Sequence, residues 1–140
     1  MNVRVVTGDW ASLREQAQAL RTEVFILEQG VPVELEWDED DELSIHAIAY
    51  DEAGSAVATG RLLPDGHIGR MAVRKSARGR GIGQWVLQAL IEEARRTGHE
   101  SLVLHAQVHA LGFYAKHGFL AEGGEFMEAE IPHRCMRLML

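Results

Sequence analysis

The chain has 140 residues, a formal net charge of −7, 46% hydrophobic and 25% charged residues, and a single cysteine. That length suits one domain with one sizeable core, and the composition is that of a folded globular protein rather than a disordered or fibrous one. The acidic balance excludes broad nucleic-acid binding; no apolar run approaches the roughly 20 residues that cross a bilayer, and "MNVRVVTGDW" lacks a signal-peptide core, so the expected compartment is the cytoplasm, with neither nucleic acid nor membrane as partner.

In chain order, "NVRVV" reads as a short strand, and Leu13, Ala17, Leu20, Val24 and Leu27 recur at helical spacing until Gly30 and Pro32 stop the pattern. Glu34 to Glu42, "ELEWDEDDE", carries seven carboxylates in nine residues, a self-repelling run expected as a solvated loop. Trp37 within it is expected to anchor the surface, with cation–π attraction for an ammonium as the other reading. Asp38, Asp40 and Asp41 lack the turn glycine and spaced glutamate of a calcium loop. "SIHAIAY", "SAVATGRLL" and "HIGRMAV", separated by "DEAG" and "PDG", form a three-strand antiparallel meander. Ile82, Val86, Ala89, Leu90 and Ala94 mark a helix whose last turn holds Arg95 and Arg96 before Gly98. "SLVLHA" is a further strand, a short helix runs from about His109 to His117, and "HRCMRLML" closes the chain as a strand in which Cys135 packs. His105 and His109 straddle a strand-to-helix boundary, so no metal site is expected from them.

Basic residues gather at Arg70, Arg74, Lys75, Arg78 and Arg80 around Gly79, Gly81 and Gly83. A strand ending near Val73, a glycine turn and an immediate helix place unpaired backbone N–H groups at a helix N-terminus, which is an anion site. Glycine lets a bulky phosphate approach the backbone, and Arg78 and Arg80 add charge-assisted donors. So many donors suit a pyrophosphate. The spacing is neither that of a P-loop nor G-x-G-x-x-G.

Arg78-x-x-Gly81-x-Gly83 after "MAV" resembles the acetyl-CoA signature [RQ]-x-x-G-x-[GA] of the GNAT superfamily of N-acetyltransferases. "LGFYAKHGF" resembles the family's later segment, and "VFILEQGVPVELEWDEDDE" with "IPHRCMRL" resembles its ElaA-like branch. The resemblance implies an α/β (α+β) acyl-CoA N-acyltransferase fold over residues 1–140, with a mixed, mostly antiparallel sheet flanked by helices. It implies acetyl-CoA as co-substrate, with Met71, Ala72 and Val73 along the pantetheine arm. Arg78, Gly79, Arg80, Gly81, Ile82 and Gly83 would hold the pyrophosphate, and Tyr114 would lie near the sulfur. At Gln107, also on the pantetheine path, many members carry asparagine.

The implied chemistry is direct attack of an amine on the thioester in a ternary complex. An alkyl ammonium, with a pKa near 10.4, must first lose a proton. The oxyanion needs N–H donors, for which the Ala72 or Val73 backbone, freed by a bulge, is the source. Tyr114, protonated at neutral pH, is the general acid for the departing thiolate. Glu28, Glu34, His133 and a water relay to a carboxylate are the base candidates. The acceptor is a small-molecule or peptide amine, and the acidic run favours a cationic one. A CoA-binding module without turnover and an unrelated acidic interaction domain are the alternatives. The apolar C-terminal strand could pair across a homodimer.

Overall fold

Residues 2–140 are described by a computed structural model of the chain. The elements are β1 (Arg4–Gly8), α1 (Trp10–Arg21), a π-helical turn (Thr22–Glu28), α2 (Val33–Glu36), a 3-10 turn (Glu39–Leu43), β2 (Ile45–Tyr50), β3 (Ala56–Leu62), β4 (His67–Val73), α3 (Ile82–Arg96), β5 (Ser101–Gln107), α4 (Leu111–Ala115), β6 (Leu120–Glu128) and β7 (Ile131–Met139). Seven strands form one sheet in the order β1-β2-β3-β4-β5-β7-β6. Every neighbouring pair is antiparallel except β4 and β5.

Strand alternation divides the core between the two sheet faces. Ile48 packs with Trp10, Leu13, Ala17 and Leu20 of α1, while its neighbours Ala47 and Ala49 pack with Val86, Leu87, Leu90 and Ala94 of α3. Asp9 caps α1 by accepting from the Ser12 N–H at 2.9 Å. After Arg21 the helix loosens: Gln29 N–H bonds to the Val24 carbonyl and Val31 N–H to that of Phe25. This shifts the side-chain phase. Leu27, placed on the apolar face by spacing alone, consequently points outward and is 75% exposed, whereas Phe25 and Glu28 turn toward the sheet's central opening.

Three other expectations change. Glu34 to Glu42 is not a solvated loop: it contributes α2 and the 3-10 turn, and buries Glu36 and Asp41. The short helix after β5 resolves into a 3-10 turn (Val108–Ala110) followed by the five-residue α4. The third change is β6, which the sequence hides: "LAEGGEFME" has two glycines and no apolar alternation, and it is held at the sheet edge by β7. β7, which carries the half-buried Cys135, thus has β5 on one side and β6 on the other. Both its hydrogen-bonding edges are filled within the chain, so the C-terminal strand is not free to pair across a homodimer.

Candidate active site

β4 and β5 start side by side and then part. Their parallel pairing covers His67↔Val103 and Ile68↔Leu104, while β5 stays paired to β7 as far as Gln107↔His133. On its other edge β4 carries a bulge: Arg61 pairs with Gly69 and Thr59 with Ala72, so Arg70 and Met71 face Gly60 alone. Arg70 takes φ 51° there. A Cβ on Gly60 would lie 2.5 Å from Met71 Sδ and 2.9 Å from Leu90 Cδ1, so any larger residue opposite the bulge would have to push those side chains aside. Past it, the Arg74 N–H donates to the Val57 carbonyl at 2.8 Å. That register turns the backbone groups of Ala72 and Arg74 toward β3 and those of Met71 and Val73 into the opening. Ala72, expected as an oxyanion donor, is therefore committed to the β3 ladder; Val73 is the one of the two that faces the opening.

The opening is a cleft of about 910 Å³ whose walls include Phe25, Glu36, Met71, Val73, Gln107, Tyr114, Glu128 and His133. A second cavity of about 290 Å³ continues from it, bounded by Met71 to Val73, Arg78, Gly79, Gly81, Ile82, Gly83, Phe113 and Tyr114. Of the residues assigned to the cofactor, these two cavities bring together all but Arg80, which is exposed outside both. Gly81 caps α3 at φ 74° and Gly79 holds φ 79°, left-handed conformations that favour glycine. Gly83 sits in the first turn, against Phe113 and Val73.

Arg78 is engaged within the protein. Its guanidinium meets Glu28 through two bonds of 2.5 and 2.6 Å, and its Nε donates to the Val73 carbonyl at 2.9 Å. The hydrogen bond from Arg78 holds the Glu28 carboxyl below its usual range, so Glu28 is a weak proton acceptor. Glu34 is exposed and lies outside both cavities. Gln107 donates to Gln29 at 3.0 Å and approaches His109 Nε2 at 2.7 Å, bridging β5 to the end of the π turn. Tyr114 lines both cavities, its ring edge-on to Phe113 and Phe119. Burial pushes its hydroxyl up to about 12, and no protein group among the described residues hydrogen-bonds it. His133 also lines the cleft and is buried, 6% exposed.

Below the cleft lies a charge cluster that sequence reading missed. Asp41 receives Arg21 at 2.7 Å and Arg61 at 2.9 Å. Arg61 also meets both oxygens of Asp38, at 2.7 and 2.9 Å, and Arg70 Nε lies 3.1 Å from Glu36. Three guanidiniums thus face three carboxylates. Hydrogen bonding from Arg61 lowers the Asp38 carboxyl, while burial raises that of Glu36 against the attraction of Arg70. Arg21 lies over Trp37 at 4.8 Å and over Trp10 at 5.6 Å, so the cation on Trp37 is the protein's own. The acidic run expected to favour a cationic acceptor is in this part neutralised internally. The available signal was Arg61 inside the apolar run "SAVATGRLL", since a buried charge demands a partner.

A model of the acetyltransferase (GNAT) domain matches residues 12–140. The uncharacterized N-acetyltransferase YjcF of Bacillus subtilis is 40% identical over 118 residues, covering 81% of this chain and 84% of that protein. Among solved structures, an acyl-CoA N-acyltransferase from Pseudomonas aeruginosa superposes with a TM-score of 0.86 at 31% identity, covering 98% of this chain and 99% of that one. Escherichia coli ElaA gives a TM-score of 0.86 at 26% identity, with 96% and 99% covered.

Proposed function

Because the chain belongs to the GNAT family of N-acetyltransferases, whose fold it shares with acyl-CoA-dependent enzymes, we propose that it transfers an acetyl group from acetyl-CoA directly to a primary amine. The observation that carries this reading is the parting of β4 from β5 beside the bulge. It leaves the Met71 and Val73 backbone without a strand partner along a cleft that runs on to the glycine turn at α3.

In this reading the pantetheine arm adds to β4 as a short strand, its amides meeting Met71 and Val73. The pyrophosphate rests on the N-terminus of α3 at Gly79, Gly81, Ile82 and Gly83, where N–H groups and the helix dipole favour an anion. Arg78, cross-linked to Glu28 and to the Val73 carbonyl, stiffens the turn and keeps a cation beside it. The Val73 N–H is placed to donate to the thioester oxygen as it becomes an oxyanion. Tyr114, with its raised hydroxyl, stays protonated throughout the neutral range and can donate to the leaving sulfur. Of the named base candidates, His133 alone is buried in the cleft wall.

The absence of a membrane-crossing helix among the described residues is compatible with work in the cytoplasm. The test is thiol release from acetyl-CoA across an amine panel, with the amide product identified by mass. Stoichiometric thiol and amide are expected. Binding of CoA without either product would support the non-catalytic alternative instead.

A further inference from the structure

Resting on the acyl-transfer reading, we infer that Glu128 and His133 form the amine-receiving site, and that its occupant is a monoamine with an apolar body. The argument starts from proton placement. His133 Nδ1 lies 2.7 Å from the Ile131 carbonyl oxygen, which has no proton to give, so Nδ1 carries the hydrogen and a neutral ring presents a lone pair at Nε2. Nε2 in turn faces Glu128 Oε2 at 3.5 Å. With Nδ1 protonated, Nε2 and Oε2 both offer lone pairs across this gap, which suits a proton or a cationic donor shared between them. The other oxygen, Oε1, is taken by His105 Nδ1 at 3.1 Å, leaving Oε2 for that donor.

The fold fixes this pair. Residues Ala129 and Glu130 take φ 51° and 63°, making the tight turn that sets Glu128 opposite Ile131. Phe126 stacks on the His133 ring at 6.0 Å and meets His105 edge-on at 5.0 Å. The His133 side chain is 8% exposed and that of Glu128 48%, so one member is walled in while the other reaches the cleft. Other titratable groups facing the pair are His105 and, beyond it, His67, with ring centroids 6.1 Å apart; Asp65 holds His67 at 3.0 Å. The same cleft offers Phe25, Val31, Leu35 and Ile131 to the rest of the acceptor. Of the other carboxylates lining the cleft, Glu28 and Glu36 have arginine partners and Asp65 holds His67, so Glu128 is the carboxylate offered to a single ammonium.

The proton balance is as follows. An ammonium arriving at Glu128 gives one proton to His133 Nε2, which passes it to solvent. The freed nitrogen pair forms the C–N bond, the C–S bond breaks, and the sulfur takes a proton from Tyr114. Tyr114 recovers its proton from the nitrogen through solvent, yielding amide and thiol.

The experiment compares wild type, Glu128→Gln and His133→Gln with acetyl-CoA and three acceptors: a phenylalkylamine, a linear polyamine, and a fluorinated alkylamine that is already neutral at pH 7. Thermal unfolding and CoA titration accompany the kinetics. With the phenylalkylamine, kcat/KM should fall about 10- to 100-fold in Glu128→Gln, the worth of a hydrogen bond to a charge, and roughly 10²- to 10⁴-fold in His133→Gln. CoA affinity should stay unchanged, and the losses should shrink to within about threefold for the neutral amine, which needs no base. Equal losses for neutral and charged amines, or no loss, would overturn the assignment, and a polyamine preferred by wild type would overturn the acceptor class. If wild type acylates none of the three, nor any amine of the wider panel, the acyl-transfer reading itself fails, an outcome distinct from variants that match an active wild type. Should His133→Gln not fold, the Glu128→Gln comparison decides alone.

Discussion

Gly81 and Gly83 stand two residues apart and respond to an added methyl with opposite signs in stability. Gly81 holds φ 74°, where an L-residue costs about 1–2 kcal/mol. Gly83 lies in regular helix, and a Cβ there would meet Phe113 Cζ and Val73 Cγ2 at 3.5 Å, ordinary contact. Gly83→Ala therefore restricts the unfolded chain without straining the folded one, a gain of about 0.4–1 kcal/mol. For a chain of this length that raises Tm by about 1–4 °C, while Gly81→Ala lowers it by roughly 2–8 °C. Both methyls enter the wall of the 290 Å³ cavity. If the turn holds the pyrophosphate, each should displace at least one charge-assisted hydrogen bond, weakening CoA binding about tenfold or more. Thermal unfolding without ligand and calorimetric titration with CoA read the two effects separately. A Gly83→Ala protein that is more stable and binds CoA less tightly separates site from scaffold. Unchanged affinity in both variants would refute the placement of the phosphates.

Tyr114→Phe keeps the ring packed on Phe113 and Phe119 and removes the hydroxyl, so kcat should drop roughly 10²- to 10⁴-fold with CoA affinity unchanged. An acyl donor with a more acidic thiol should recover part of the loss, and equal turnover by the two proteins would remove Tyr114 as the acid. Asp41→Asn takes the shared partner from Arg21 and Arg61. Breaking such a buried pair costs about 3–5 kcal/mol, or roughly 6–20 °C in Tm, and a loss under about 1 kcal/mol would contradict the cluster's structural role. Burial, the leading cause, holds the His46 imidazole below its usual range, so the folded chain keeps it neutral while the unfolded chain takes up a proton near pH 6.5. The stability His46 contributes is complete above that pH and is lost as pH falls through the folded value. Asp38, lowered by Arg61, adds a loss further into acid, and Glu36, raised by burial, acts there with the opposite sign. Unfolding measured from pH 8 to 5 should show Tm falling below about pH 6.5, and His46→Gln should flatten that upper limb; a profile identical in both proteins would contradict the account.

The meander, α3 and the glycine turn were legible because each carries a local signal: alternation, a 3.6-residue period, or glycine where φ is positive. β6 carries none, since Gly123, Gly124 and its glutamates owe their strand conformation to β7. The π turn after Arg21 is likewise invisible to a fixed helical period, which puts Leu27 on the apolar face although it is exposed. In the site, Tyr114 and the turn follow from short motifs. The arginine–carboxylate cluster pairs residues 15 to 34 positions apart and Glu128 meets His133 across an unforeseen hairpin, and only the sheet brings them together. The acidic run shows the limit of reading charge in one dimension: its sign was plain, but its neutralisers sit on α1, β3 and β4.

Hydrogen exchange along β4 tests most directly whether acyl-CoA lies in the opening between β4 and β5. The register leaves the Met71 and Val73 amides unpaired and ties those of Ala72 and Arg74 to β3. Saturating acetyl-CoA should therefore slow exchange at Met71, Val73, Gly81 and Gly83 while leaving Ala72 and Arg74, already protected, nearly unchanged. Protection confined to other strands, or no change at Met71 and Val73 in the ligand-saturated protein, would contradict it.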